Sequence, residues 1–448
     1  MKLFGTDGIR GKVNSEPMTP ERVLSVGMAA AKVLKKKHGR NMVLIGKDTR
    51  LSGYMIESAL TSGICSMGMN VILVGPLPTP GVAYLTRALR LDAGIVISAS
   101  HNPFDDNGIK FFSHEGFKLP EEIEAEMEDI ARNGGGSRRM PHGARIGKAF
   151  RLDDATGRYI EYIKSTIPRG TSLEGLKVVV DCAHGAAYKT TPWVLSELGA
   201  DVVAINDKPD GVNINEKCGS THMEGLMKEV RKHKANVGIA HDGDADRTLF
   251  CDEKGKIVDG DQVMGLLAVE LKKEGQLKND TVVSTVMSNL GFEHFLQSKG
   301  IRLIREQVGD KYVVEKMRKE GFNFGGEQSG HIVFFDYNTT GDGPITALQM
   351  LNLLRKKRRK LSELVKKIRL YPQILENVVV KKKRNIDTIP AIRKAIDKVS
   401  KDLEGRGRVL VRPSGTEPKI RIMIEGDDAG KIRKYAGYLS KVISKALT

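Results

Sequence analysis

Three aspartates at alternate positions, Asp242-Gly243-Asp244-Ala245-Asp246, followed at once by Arg247, are the densest set of chemistry-bearing side chains in the sequence. Carboxylates at i, i+2 and i+4 with only Gly and Ala between them can bend around one hard cation, and like charges this close need a cation or basic neighbours. A bound metal is expected here. The second such stretch is Ser98-Ala99-Ser100-His101-Asn102-Pro103, which follows the apolar run Gly94-Ile95-Val96-Ile97. A β-branched run ending in small and polar residues reads as a buried strand whose tip carries a loop, the place where open α/β sheets put their ligands. Ser100 therefore faces a crevice in this reading. A serine hydroxyl needs a base or a charge beside it to react, and His101 is adjacent only in sequence. A plain turn before Pro103 competes with the chemical reading.

Two known patterns compete for the aspartates. With Asp242 at position 1, an EF-hand would find Asp244, Asp246, Leu249 and Glu253 at positions 3, 5, 8 and 12. Against it, Arg247 stands where the sharp turn needs glycine, and the flanks 236–240 and 248–251 read as strands. The D-x-D-x-T pattern of haloacid-dehalogenase-type phosphatases is met by Asp244, Asp246 and Thr248, but an aspartyl phosphate leaves Ser100 without a task.

Two further loops carry polar chemistry among glycines. Gly325-Gly326-Glu327-Gln328-Ser329-Gly330-His331 offers a carboxylate, a hydroxyl and an imidazole suited to reading sugar hydroxyl or amino groups. Arg412-Pro413-Ser414-Gly415-Thr416-Glu417-Pro418-Lys419, with Arg421 beyond, supplies a bidentate cation, hydroxyls and free backbone N–H groups, the ingredients of a phosphate nest. The Gly-rich opening with Thr6, Asp7 and Arg10 can also pass close to a phosphate.

The elements that must position these loops follow β-α-β grammar, so helix-covered, mainly parallel sheets are expected. In the first 150 residues a helix is expected over 20–37, strands at 42–46, 71–74 and 94–97, a second helix over 54–68, and an acidic helix near 120–132. A bridging helix at 153–165 precedes a second round, with strands at 176–181, 201–205 and 236–240. A third round has helices over 260–274, 290–299 and 310–320, strands at 281–286 and 301–304, and a helix after Gly343. The tail is a smaller α+β unit with strands near 378, 408–411 and 420–424 and helices near 388–402 and at the end. The boundaries expected are 1–150, 151–255, 256–369 and 370–448.

A chain of 448 residues is long enough for about three or four domains. Its 40% apolar and 28% charged residues describe a soluble globular protein, with no apolar run long enough to cross a bilayer. The opening Met1-Lys2-Leu3-Phe4-Gly5 lacks the apolar core of a signal peptide, so a cytoplasmic location is expected. Cys65, Cys182, Cys218 and Cys251 lie far apart, which suggests neither a disulfide framework nor a zinc site. The net charge of +17 raises nucleic acid as a partner. Aromatics are only 5%, however, and the basic runs 35–37 and 355–360 fall at helix ends, where cations meet the negative pole of the helix dipole. An anionic small substrate profits from the same field.

Taken in order, the loops Ser98 to Pro103, Asp242 to Arg247, Gly326 to His331 and Arg412 to Thr416 make the whole chain resemble the α-D-phosphohexomutase family. The resemblance implies three related mixed α/β domains and a smaller C-terminal α+β domain around a central cleft. It implies Ser100 carried as phosphoserine, with one Mg2+ held by Asp242, Asp244, Asp246 and the phosphoserine oxygen. Lys110 matches a position proposed to move protons, with His101, His331, Arg10 and Arg247 nearby. Glu327 and Ser329 would contact the sugar ring, while Arg412, Ser414, Gly415, Thr416 and Arg421 grip the phosphate that is not reacting. Within the family, Phe4-Gly5-Thr6-Asp7-Gly8-Ile9-Arg10-Gly11, Ile97-Ser98-Ala99-Ser100 and Gln328 favour an amino sugar. The expected reaction interconverts glucosamine 6-phosphate and glucosamine 1-phosphate through a bisphosphorylated sugar, which also serves as primer. Relatives acting on mannose or glucose phosphates more often carry Met at the place of Gln328 and Lys near Met287-Ser288. A homodimer is expected from the family alone.

Overall fold

The computed structural model describes residues 2–5, 7–35, 39–134, 140–380, 386–413 and 419–447, and Asp387 by its backbone only. Contacts divide the chain into two units, one made of Met1–Val286 and Leu303–Val365, the other of Met287–Arg302 and Lys366–Thr448.

The first unit is built on three sheets. In the seven-stranded sheet the order is Phe4–Gly5, Gly8–Lys12, Asp106–Ser113, Ala93–Ile97, Met42–Lys47, Asn70–Pro76, Ala149–Arg151. Ala93–Ile97 is buried along its whole length, as expected of a strand covered on both faces. It lies parallel to Met42–Lys47 with Ile97 opposite Lys47, so the residues that follow, Ser98 and Asp48, leave the sheet side by side. On its other edge it pairs antiparallel with Asp106–Ser113, so the sheet is mixed.

One face of this sheet is covered by the helices Pro20–Leu34 and Ser52–Ser66. Thr19 caps the first by accepting from the Arg22 N–H, Pro20 occupies its first turn, and Val23, Val26, Ala29 and Ala30 point to the core. The two helices cross at Gly27 and Gly63: a Cβ on Gly63 would stand 2.4 Å from the Leu24 carbonyl oxygen. Several helices have no counterpart among the sequence expectations, among them Thr79–Ala88, Glu224–His233 and Leu361–Val365. The first hides behind Pro76, Pro78 and Pro80, which read as a loop but here place a proline in the first helical turn.

The second sheet runs Ile257–Val258, Thr248–Asp252, Val237–His241, Lys177–Asp181, Asp201–Ile205. His241 pairs with Thr248 across an antiparallel ladder, so the aspartate cluster is the connection of a hairpin. The third sheet is Arg302–Glu306, Thr281–Thr285, Phe324–Gly326, Ile332–Phe334, and its last hairpin carries Glu327 to His331.

The second unit has a three-stranded antiparallel sheet, Gln373–Val379, Lys419–Gly426, Gly407–Pro413, packed against Pro390–Leu403 and Ala429–Leu447 through Ile392, Val399, Ile422, Leu439 and Ile443. It also includes the helix Leu290–Gln297. Asn289 exchanges two 2.9 Å hydrogen bonds with the Tyr371 backbone, and the Leu290 N–H donates to the fully buried Glu425 at 3.0 Å. Among the described residues no helix is long and apolar enough to cross a membrane.

Candidate active site

Ser100 leaves the strand Ala93–Ile97 at the loop tip, 1% exposed and with φ of 52°, a left-handed conformation that a non-glycine residue holds only when its surroundings enforce it. Those surroundings are explicit. The Ser100 N–H donates to Ser98 Oγ at 2.9 Å, and Ser98 Oγ–H donates to Asp48 Oδ2 at 2.6 Å. Arg50, with no exposed surface, pairs with Asp48 at 2.8 Å and donates to the carbonyl oxygens of Ser100 (3.1 Å), Asn102 (2.8 Å), Asp106 (3.0 Å) and Pro103. From the second sheet's side, Asn215 Nδ2 donates to the same Ser100 and Asn102 carbonyls at 2.9 and 3.0 Å.

The loop so fixed meets the aspartate hairpin. Ser100 Oγ–H donates to Asp242 Oδ2 at 2.6 Å, across 142 residues of sequence. The approach is close enough that a Cβ on Gly243 would lie 2.6 Å from the Ser100 carbonyl oxygen, which explains the glycine between the first two acids. The segment is also a turn, with the Asn102 N–H on the Ala99 carbonyl at 3.1 Å, and the contact with Asp242 comes in addition to it. The hairpin's flanking strands and the engagement of Glu253 with Ser362 remove the EF-hand reading as well.

Asp242, Asp244 and Asp246 are all buried and can bring one oxygen each within 4.8 Å of the others. Each is anchored by part of its carboxylate. The Arg247 N–H holds Asp242 Oδ1 at 3.1 Å. Thr79 Oγ1 and Lys110 Nζ hold Asp244 Oδ2 at 2.7 and 2.8 Å, and Lys110 reaches Asp246 Oδ2 at 3.4 Å. Asp244 Oδ1 and Asp246 Oδ1 are buried and accept no hydrogen bond. Two desolvated carboxylate oxygens without a hydrogen bond, beside a third carboxylate and a serine oxygen, form an all-oxygen donor set, which suits Mg2+, Mn2+ or Ca2+. Burial, then Asp246 and Asp244, push Asp242 well above the usual carboxylate range, the strain that a divalent ion would relieve.

Basic groups ring the acids. Lys110, 2% exposed, also faces Asp7 at 3.3 Å; burial alone would lower it, but Asp244, Asp7 and Asp246 together raise it well above an ordinary lysine. Asp7 in turn pairs with Arg10 and with Lys118, and Lys118 bridges to Asp310 at 2.5 Å. Arg10 Nη1 donates to the Ala99 carbonyl at 3.3 Å, next to Ser100. Burial, then Arg247 and Arg10, pull His101 down to about 4, so its ring is neutral at pH 7. Its Nδ1 lies 3.3 Å from Arg247 Nη1 and 3.2 Å from Ser100 Oγ. His331 stands 3.7 Å from Asp246 and 3.4 Å from Asp310; burial opposes its charge, and these carboxylates outweigh burial and raise it.

Glu327 is half-buried, accepting from the Gly309 N–H at 3.3 Å and from Ser329 Oγ at 3.4 Å, and Ser329 is exposed. Gln328 donates to Asp259, the N-cap of the helix Gly260–Lys273, at 3.2 Å. The sequence reading missed Arg50, Asn215, Thr79, Lys118 and Asp310. Arg50 lies just past the expected strand 42–46, and what brings it under the serine loop is the parallel pairing of Met42–Lys47 with Ala93–Ile97, which the sequence does not show. In the second unit, Arg412 and Arg421 stand directly opposite each other on an antiparallel pair, and burial followed by Arg421 lowers Arg412. Ser414, Gly415 and Thr416 lie outside the described residues.

Comparison with known proteins matches four domain families in order. These are phosphoglucomutase/phosphomannomutase alpha/beta/alpha domain I over residues 1–136, domain II over 157–255, domain III over 259–371, and the C-terminal domain over 375–441. A phosphoglucosamine mutase from Thermodesulfovibrio yellowstonii is 55% identical over 451 residues, covering 100% of both chains. Another from Myxococcus xanthus is 53% identical over 447 residues, covering 100% of this chain and 98% of its own. Among solved structures, a phosphoglucomutase/phosphomannomutase family protein from Burkholderia thailandensis superposes with a TM-score of 0.82 at 24% identity over 99% and 97% of the two chains. N-acetylphosphoglucosamine mutase from Aspergillus fumigatus, solved with GlcNAc-6P and magnesium, gives 0.70 at 17% identity over 100% and 96%. At these identities the structures speak for the fold.

Proposed function

The chain belongs to the phosphoglucomutase/phosphomannomutase family, the α-D-phosphohexomutases, and from that premise we propose how its own residues carry out the reaction. It is an isomerase that interconverts glucosamine 6-phosphate and glucosamine 1-phosphate, the activity named for relatives identical at more than half of all positions. The observation that carries the reading is the Ser100 hydroxyl seated 2.6 Å from Asp242 at the edge of a buried acid triad.

Ser100 holds the phosphoryl group in transit. Its Oγ–P bond breaks as a new O–P bond forms to the sugar's free hydroxyl, giving a bisphosphate. After that sugar turns over, its other phosphoryl group returns to Ser100. Asp242 accepts the hydrogen bond of the Ser100 hydroxyl once the phosphoryl group has left. Asp242, Asp244 and Asp246 with the Ser100 phosphate would hold Mg2+, which when bound neutralises charge on the transferring group. Lys110, held by Asp244 and Asp246, and Arg247, beside His101, add fixed positive charge around the same spot. Glu327 and Ser329 read the ring, and Arg412, Ser414, Gly415, Thr416 and Arg421 take the phosphate that is not reacting. A sugar bisphosphate serves as primer by loading Ser100.

The test follows glucosamine, glucose and mannose 1-phosphates by 31P NMR with Mg2+ and a bisphosphate primer, and maps phosphopeptides. Glucosamine 1-phosphate turns over fastest, phosphate is found on Ser100, and Ser100→Ala falls to background. Turnover that survives Ser100→Ala overturns the reading.

A further inference from the structure

An unexplained concentration of positive charge lies in the first unit, around a cavity of about 870 Å3 between the ends of two helices. The helix Glu224–His233 ends there at Lys234 and the helix Gly343–Lys357 ends at Arg358, both caps left-handed. Arg231, Lys234, Lys254, Arg355, Arg358 and Lys360 line it, and among the described residues none of the six lies within 4 Å of a carboxylate. Other cations there are committed: Arg359, also in the lining, pairs with Glu363, Lys356 pairs with Glu274 and Lys357 with Glu270, while Arg355 Nε donates to the Ser172 carbonyl at 3.1 Å. The one acid in the lining, Glu253, is engaged by the Ser362 hydroxyl and N–H.

Helix ends explain only part of this. Two C-terminal dipoles contribute about one negative charge together, so with Glu253 counted an excess of about four positive charges remains around one concavity. The volume falls in the range of small-molecule sites, and the floor includes the buried Leu354, Leu361 and Ala235. Cations gathered around one concavity suit a compact ligand with clustered charge, whereas nucleic acid calls for a stripe along the surface. Arginine forks are matched to phosphate oxygens.

We propose that this cavity binds a small polyphosphate anion, free or as the phosphate chain of a nucleotide, at a site separate from the Ser100 and aspartate loops. Binding there weakens steeply with ionic strength, because the cations are exposed.

The probes are tripolyphosphate, ATP and adenosine, titrated calorimetrically into the full-length protein at about 0.15 M salt, against the double variant Arg231→Glu/Lys360→Glu. Both residues are exposed and outside the catalytic loops, so mutase turnover without probe certifies that the variant is folded. The expected result is saturable binding of tripolyphosphate and ATP, not adenosine, that weakens at least about tenfold in the double variant while basal turnover is unchanged. Equal affinity for the two anions assigns the recognition to phosphate alone, and tighter ATP binding adds the nucleoside. No binding up to millimolar probe, or binding that the double variant leaves intact, overturns the proposal. So does RNA binding lost in the variant without any binding of tripolyphosphate or ATP, which makes the patch a nucleic-acid surface.

Discussion

At the scale of single residues, the site depends on a side chain that never touches the acids. Arg50 spends its guanidinium on Asp48 and four carbonyl oxygens of the serine loop, a pattern that a lysine cannot reproduce. Arg50→Lys is expected to fold and to lower kcat about tenfold or more with KM little changed, measured in the coupled mutase assay. Arg50→Met leaves Asp48 buried with no cation beside it, and is expected to lose about 3–5 kcal/mol in urea unfolding. Asp342 gives a pH signature of its own. It caps the helix Gly343–Lys357 and accepts from Tyr159 at 2.7 Å and Asn338 at 2.8 Å, yet burial outweighs these bonds and raises it to about 6. With the folded value above the unfolded one, its contribution is full below about pH 4 and is lost as pH rises through 6. Urea unfolding of wild type against Asp342→Asn, which keeps a capping side chain, is expected to show wild type losing ground by up to about 3 kcal/mol across that window. A pH-independent difference would reject this account. The aspartate triad and Ser100 were legible in the sequence because spacing within one loop is a local property. Arg50 and Asn215 were not, because their targets are backbone carbonyls some 50 and 115 residues away, and nothing in an isolated Arg or Asn says which carbonyl it will meet.

At the scale of elements, the order of strands and helices was readable from apolar periodicity, and most ends fall within a few residues of expectation. Thr79–Ala88 was lost because three prolines read as a loop, although proline is compatible with a first helical turn. Two glycines separate folding from function. Gly63→Ala drives a Cβ into the backbone of the neighbouring helix and is expected to lower stability by about 1–3 kcal/mol, with the specific activity of the folded protein kept. Gly243→Ala presses instead on the Ser100 carbonyl and on Asn215 Nδ2, 2.9 Å away, so turnover is expected to fall at least about tenfold for a similar stability loss. Thermal melts beside the mutase assay separate the two. Equal effects on activity would remove the idea that contact between the loops sets the site.

At the scale of the whole molecule, four domain families follow one another along the chain, while contacts gather it into two units that do not respect chain order. Residues 287–302 belong by their contacts with the C-terminal unit, where Glu425 ties the Leu290 N–H, Gln373 and Arg408 together. Glu425→Ala takes the acceptor from the half-buried Leu290 N–H and removes the carboxylate that pairs with Arg408. It is expected to cost about 3–5 kcal/mol in unfolding of the full chain, whereas Glu425→Gln, which still accepts hydrogen bonds, loses less. Nothing in the sequence marks this tie, since a lone Glu in a strand reads as an outward-facing residue. The detour also matters while the polypeptide is being made. Leu290 leaves the ribosome 135 residues before Glu425, a wait of roughly 7 to 27 s at ordinary translation speeds. The Tyr371 backbone that pairs with Asn289 arrives 82 residues after it and Glu425 later still, so until then the start of the helix Leu290–Gln297 lacks these ties, a vulnerable interval that chaperones would have to cover.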